Sequence, residues 1–384
     1  MRQIKSFAKA IGLKVLFEFT QNIILKLRGY NILDRSQTMS FMERFQIYFS
    51  PIKTVIIPET LNSANNTKIV FFENQCEADA FSIWDYHDPS QNASLSRYGS
   101  VILRRKVLTT DSNANSFMKD IWSPDKRPVQ HASVVIAPFS QYQDGIWYGG
   151  YWDYLFLVAV KLSRIRDHIP LEVYSKALIA YPLFDTPYER ELMGMLDISS
   201  EMLTDTTKTK YITPRVITAN STTGYPHPDD IASLKSNIQK KFNPVRSSYD
   251  RIYISRSCRR NIINEHELIT MLKKFDFKII EDIPRSITEQ ITIYHNASFI
   301  LGPHGASFSN IIWCEPGTHL MELFSCNYAP DFFAYLAALN RMEYSAYYEG
   351  MADPSVDYLD GLVEDISIDV LKLEKVLQGI LKSV

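Results

Sequence analysis

Between Arg251 and Phe324 the chain switches repeatedly between the period of a strand and the period of a helix. Arg251 to Ser255 reads as a strand, and Asn264 with Glu267 three positions later has the spacing of a capping box. That box opens a helix with Leu268, Met271, Leu272 and Phe275 on one face. Phe277 to Ile280 is the next strand, Ser286 and Glu289 cap a second helix through Ile293 and Tyr294, and Ser298 to Leu301 is a third strand. Strands alternating with helices of about ten residues fold into a parallel sheet covered on both faces, whose ligands bind beyond the carboxyl ends of the strands.

The apolar run Ala297 to Leu301 ends in Gly302-Pro303-His304-Gly305-Ala306-Ser307, and Phe308 to Cys314 then reads as a short helix closed by Glu315-Pro316-Gly317. A strand, a tight turn and a helix start together make a place for an anion. Helix N-termini present unpaired N–H groups and a partial positive charge, and glycines allow a phosphate close to the backbone. Arg256, His304 and Glu322 all fall at or just after strand ends, so one crevice would collect them.

Four blocks in this stretch carry a resemblance. Tyr253-Ile254-Ser255-Arg256, Arg260 to Glu265, Gly302-Pro303-His304-Gly305-Ala306 with Asn310, and Pro316-Gly317 with Met321-Glu322-Leu323 resemble the signature of glycosyltransferase family 61, with weaker similarity back to about Val129. The resemblance implies a metal-independent, inverting transferase without a cofactor. It also implies an α/β fold of GT-B type, two Rossmann-like domains facing across a cleft, using a nucleotide sugar that is commonly UDP-linked.

On that basis the nucleotide-sugar site draws on Arg256, Arg260, Gly302, His304, Gly305, Ala306, Ser307, Asn310 and Glu322. Guanidinium groups bind phosphate in a bidentate way that lysine cannot copy, which marks Arg256 and, less exclusively, Arg260. His304 has three readings: a hydrogen bond to the diphosphate or sugar, a general base, or a structural histidine that holds the loop. Glu322 is read as an acceptor for ribose hydroxyls. Asn310 either reaches the ligand or caps. Glu265 is read as a first-turn charge that suits the helix dipole.

Gly149-Gly150-Tyr151-Trp152-Asp153-Tyr154 stands where the family usually carries an Asn-aromatic-aromatic-His block, with Asp153 at the histidine position. An inverting transfer needs a base for the acceptor hydroxyl, and Asp153 is the candidate beside His304. The alternative is an Asp that caps its own helix.

The remainder divides by pattern into an N-terminal amphipathic helical segment (1–50), a small β-containing region attached to the N-terminal domain (51–128), an N-terminal Rossmann-like acceptor domain (129–225) and a C-terminal donor domain (226–384). In the acceptor domain Ser133 to Ala137, Leu171 to Tyr174 and Ala177 to Ala180 read as strands, and Tyr151 to Ile165 and Tyr188 to Leu196 as helices. Ser221 to Asp229 reads as the linker. Residues 1–30 carry six basic residues against Glu18, with apolar residues at helical spacing, so they either lie on an anionic membrane surface or pack on the protein itself. No apolar run there reaches the ~18 residues of a membrane span.

A formal net charge of -2 argues against a general nucleic-acid binder. Cys76, Cys258, Cys314 and Cys326 show no Cys-x-x-Cys spacing, so neither a zinc site nor a disulfide framework is expected, and reduced thiols suit a cytoplasmic protein. Asp85, His87 and Asp88 are read as solvated loop residues rather than metal ligands. The expected protein is therefore a cytoplasmic hexosyl- or pentosyltransferase, peripheral at the inner membrane face if the N-terminus binds there. Its acceptor is a saccharide or lipid-linked saccharide, in surface or capsular polysaccharide synthesis. The alternatives are an inactive nucleotide-sugar-binding protein of the same fold and another Rossmann-type nucleotide-sugar enzyme, although no Gly-x-Gly-x-x-Gly motif is found.

Overall fold

A computed structural model describes residues 20, 23–25, 27–69, 73–111, 117, 125–139, 150–220, 224–353 and 355–383. Most of the basic N-terminal segment, and residues 140–149 with Gly149 of the aromatic block, lie outside the described residues. The fold is mixed α/β, and the chain divides into two compact units: residues 1–51 with 79–233, and residues 52–78 with 234–384.

The first unit holds a six-stranded sheet in the order Leu203–Asp205, Leu178–Tyr181, Val135–Ala137, Arg215–Ala219, Phe81–His87, Gln46–Ser50. Its first four strands are parallel, and its last two pairings are antiparallel, so that Phe81–His87 alone runs against the rest. A long helical run, Tyr151–Asp153, Tyr154–Ala159 and Val160–His168, passes through a π turn in its middle part. Two cations on it are fully buried and matched: Lys161 pairs with Asp111, and Arg164 Nη1 with Asp230 Oδ1 at 2.9 Å. Unpaired, either would be too costly to bury.

Two readings are corrected here. Leu171–Tyr174 is a helical turn rather than a strand, because Pro170 starts it and the N–H groups of Val173 and Tyr174 both donate to the Pro170 carbonyl. The second gives way only at its end: of the expected linker, Pro228 and Asp229 already belong to the helix Pro228–Gln239, and Asp230 just beyond it is held by Arg164.

The second unit is built on strands β1 (Asp250–Ile254), β2 (Phe277–Ile280), β3 (Ala297–Pro303), β4 (His319–Leu323) and β5 (Glu343–Tyr347). They are parallel and stand in the order β2-β1-β3-β4-β5. Leu61–Asn62 and Thr67–Lys68 extend the β5 edge, and Asn62 Nδ2 donates to the Tyr348 carbonyl at 2.9 Å. That pairing explains why residues 52–78 belong to this unit and not, as their β-rich pattern suggested, to the N-terminal one.

Four helices connect or cover this sheet: α1 (Glu265–Lys273), α2 (Ile287–Asn296), α3 (Phe332–Leu339) and α4 (Val370–Ser383). Odd-numbered residues of the central strands, Phe299, Leu301, Met321 and Leu323, pack with Leu268, Met271 and Leu272 of α1 and with Leu373 and Leu377 of α4. The other face meets α2, α3 and a 3₁₀ segment, Ala306–Trp313. The chain leaves β1 for β2 in one direction and β3 for β4 in the other, so right-handed crossovers put the connections on opposite faces.

One further reading changes at this level. Asn264 precedes α1 but does not cap it; its side chain accepts from Ile368 N–H at 3.2 Å and donates to the Ile368 carbonyl at 2.8 Å, tying the approach to α4 down. The short helix after the glycine-rich turn is of 3₁₀ type. Since α4 fills a core position of its own unit, Leu377→Ala should lower the stability of the second unit by about 2–5 kcal/mol in denaturant unfolding.

Candidate functional site

The strand order 2-1-3-4-5 has one point of reversal, between β1 and β3. In open α/β sheets that reversal opens a crevice beyond the carboxyl ends of the two strands. Arg256 follows β1, and the glycine-rich turn follows β3.

The two glycines of the turn are closely approached, Gly302 by backbone and Gly305 by a side chain. A side chain at Gly302 would stand 2.7 Å from the Ile254 carbonyl oxygen, where β1 and β3 run side by side. One at Gly305 would overlap Arg256 Nη1, because the guanidinium lies against that residue. Gly305 itself is extended, with φ of -177°, so a side chain there is opposed by the Arg256 guanidinium, which would have to shift, and not by conformation.

Arg256 Nη1 and Arg260 Nε both donate to the backbone carbonyl of His304, at 2.9 and 3.0 Å. Arg256 Nε also donates to the Arg259 carbonyl, and Arg260 Nη1 to the Leu362 carbonyl, at 2.6 and 2.7 Å. Arg260 holds a left-handed backbone with φ of 59° and is buried over the Tyr328 ring at 5.5 Å. A bulky residue adopts that conformation only where its surroundings over-determine it. The two arginines thus divide: Arg256 is half-buried at the crevice, whereas Arg260 is a strut joining three loops.

Beneath the turn His304 Nδ1 lies 2.8 Å from Glu322 Oε1, and the Tyr344 hydroxyl donates to Glu322 Oε2 at 2.6 Å. Phe324, Tyr328 and Phe333 surround the imidazole, with ring centroids 5.3, 5.5 and 5.0 Å away. Burial, then the nearby Arg260 and Arg256, hold the His304 pKa well below the ordinary histidine value. Burial pushes the Glu322 pKa well up. Glu322 has no exposed surface and both oxygens are taken, so the reading of it as a ribose acceptor is corrected: it is turned inward, toward His304.

Ala306 and Ser307 form the accessible rim at the start of the 3₁₀ segment. Among the described residues no hydrogen-bond acceptor takes the N–H groups of Gly305, Ala306 or Ser307, which leaves these donors for a ligand. Asn310 is buried and donates to Gln290 Oε1 at 2.8 Å and to the Ser307 carbonyl at 3.1 Å, which fixes the rim from behind. Glu265, read as a dipole charge, instead accepts from the hydroxyls of Tyr253 and Ser255, both at 2.8 Å, and so anchors the end of β1 just before Arg256. The signal for it was present: a carboxylate ten residues after a strand-end serine.

Asp153, the other catalytic candidate, sits in the first unit. Its Oδ2 accepts from the Gly150 N–H at 3.2 Å at the head of a helix. Half-buried Tyr151 and Trp152 flank it, Tyr151 with Tyr188 at 5.2 Å between centroids. Asp85 is engaged by Arg215 Nε at 2.9 Å, and Asp88 accepts from the Ser90 N–H at 2.9 Å.

Replacing Arg260 by Ala removes the strut and leaves the Leu362 carbonyl without its charged donor. We expect R260A to cost about 1.5–3 kcal/mol in urea unfolding of the full chain.

Comparison with known proteins adds the following. Residues 156–321 match the family model described as Glycosyltransferase 61, a stretch that takes in Arg256, Arg260, Gly302 to Ser307 and Asn310 and stops one residue short of Glu322. A segment of 111 residues, 28% of this chain, is 26% identical to an EGF domain-specific O-linked N-acetylglucosamine transferase of Drosophila melanogaster. The matched segment spans about a fifth, 21%, of that protein's length. No helix among the described residues is long and apolar enough to cross a membrane.

Proposed function

We propose that this chain, which carries the glycosyltransferase family 61 sequence over residues 156–321, is an inverting transferase that moves a sugar from a nucleotide donor to a hydroxyl of a saccharide acceptor. The observation that carries the proposal is the convergence, at the β1/β3 reversal, of the half-buried guanidinium of Arg256 with the unused N–H groups of Gly305, Ala306 and Ser307. Such a cradle fits a diphosphate: backbone donors and a helix start take the oxygens, and the guanidinium neutralises charge as it develops on the leaving group. The donor is proposed to be UDP-linked, and the two units to act as the facing domains of a GT-B enzyme.

In the transfer step the acceptor oxygen attacks the anomeric carbon and the bond to the diphosphate breaks on the opposite face. The acceptor hydroxyl loses its proton to a carboxylate or water, and Asp153 is the candidate group. Its own capping of Gly150 favours a second reading, in which the chain binds nucleotide sugars without transferring them. UDP binding with no transfer over a broad acceptor panel would select that reading.

Thermal-shift screening against UDP, GDP, CMP and dTDP sugars, with and without EDTA, tests the donor class. No shift with any of them would sink the proposal. The cradle itself is tested by titration calorimetry with UDP. R256A should weaken binding roughly tenfold to a hundredfold. G305A should weaken it similarly, because the added methyl displaces the same guanidinium, and the double variant should be no weaker than either single one.

A further inference from the structure

We propose that Glu322, held by Tyr344, is a buried acid that fixes His304 as a hydrogen-bond donor at Nε2, so that His304 serves the leaving group and is not the base of the reaction. His304 Nδ1 and Glu322 Oε1 stand 2.8 Å apart, so one hydrogen lies between them, either on the nitrogen or on the oxygen. The Tyr344 hydroxyl fills the other carboxyl oxygen as a donor at 2.6 Å. No lysine or arginine forms an ion pair with Glu322 among the described residues.

Burial decides where the hydrogen sits. Glu322 has no exposed surface and His304 retains only 5%. A carboxylate removed from water and supported by one phenol and one neutral imidazole is poorly solvated, and a charged imidazolium beside two guanidiniums is worse. The charged and titratable groups around the pair are Arg256 and Arg260, which donate to the His304 carbonyl, and on the Glu322 side Tyr344 and Arg260, which favour the carboxylate less strongly than burial opposes it, and Asp331, which disfavours it. The directions agree: the carboxyl is shifted up by burial and the imidazole down.

The hydrogens then follow one line. Tyr344 O–H donates to Glu322 Oε2, Glu322 Oε1–H donates to His304 Nδ1, and the single hydrogen of the neutral ring is left on Nε2. A ring with its lone pair already engaged at Nδ1 cannot accept the acceptor's proton. It can donate to a diphosphate or sugar oxygen, and it adds no positive charge to be neutralised between turnovers. On this proposal His304 and Arg256 act as two donors at one end of the donor site, and the base comes from elsewhere.

The role in transfer rests on the reading of this crevice as the donor site, but the position of the hydrogen does not. The first test uses the full chain labelled with ¹⁵N-histidine, without any donor molecule. The ring signals of His304, assigned by their loss in H304Q and H304N, should show hydrogen on Nε2 and no protonation between pH 6 and 8. E322Q should keep that tautomer, because its amide donates to Nδ1 as the acid did. Hydrogen on Nδ1 in the wild type, or a tautomer that inverts in E322Q, overturns the proposal.

The second test is turnover with a nucleotide sugar that binds. E322L should lower kcat on the order of tenfold to a hundredfold with little change in the donor KM, and E322Q should fall between it and the wild type. Unchanged turnover in E322L would overturn the positioning role even if the tautomer is as expected. If no nucleotide sugar binds at all, the donor reading fails and the tautomer result stands on its own.

Discussion

The backbone carbonyl of His304 is the point on which the candidate site hangs. It accepts from two guanidiniums, Arg256 at 2.9 Å and Arg260 at 3.0 Å. Each arginine also donates to another loop carbonyl, at Arg259 and Leu362, so one oxygen atom joins the ends of β1 and β3 and the segment before α4. Charged donors make the stronger hydrogen bonds of a protein. Their concentration on one acceptor explains why Arg260 tolerates a left-handed backbone and why a side chain at Gly305 would displace Arg256.

The same arrangement separates structural work from ligand work. Arg260, Asn310, Glu265 and Glu322 spend their polar groups inward, on the Leu362 carbonyl, Gln290, Tyr253 with Ser255, and His304 with Tyr344. What is accessible at the crevice, above the buried His304, is a short list: the half-buried Arg256 and the N–H groups at the start of the 3₁₀ segment. A site that binds a flexible diphosphate gains from donors held in place beforehand, because little ordering remains to be done on binding. The buried layer is what holds them.

How much of this was legible beforehand differs by element. Strands β1, β2 and β3 and helices α1 and α2 followed from periodicity, because one apolar face of each must be buried and the spacing of its residues shows which. The Leu171–Tyr174 segment did not, since four residues of mixed propensity carry no period and Pro170 decided their shape. Asn264 has a capping spacing that any reader would accept, yet a residue 104 positions away competes for its amide. Glu322 was assigned to ribose by its place at a strand end, and the error lies in its direction: it points to the face that carries Tyr344 and His304.

The sequence by itself determined the parallel sheet, the glycine-rich turn at the end of β3, and the motif blocks by which residues 156–321 match glycosyltransferase family 61, because periodicity and local spacing are written within some seventy residues. Only the tertiary structure decided the strand order, the membership of residues 52–78, and which side chains point into the crevice and which away from it. Those depend on contacts between residues far apart in the chain, such as Asn62 with Tyr348 and Arg260 with Leu362, and on whether burial leaves a polar group one partner or two.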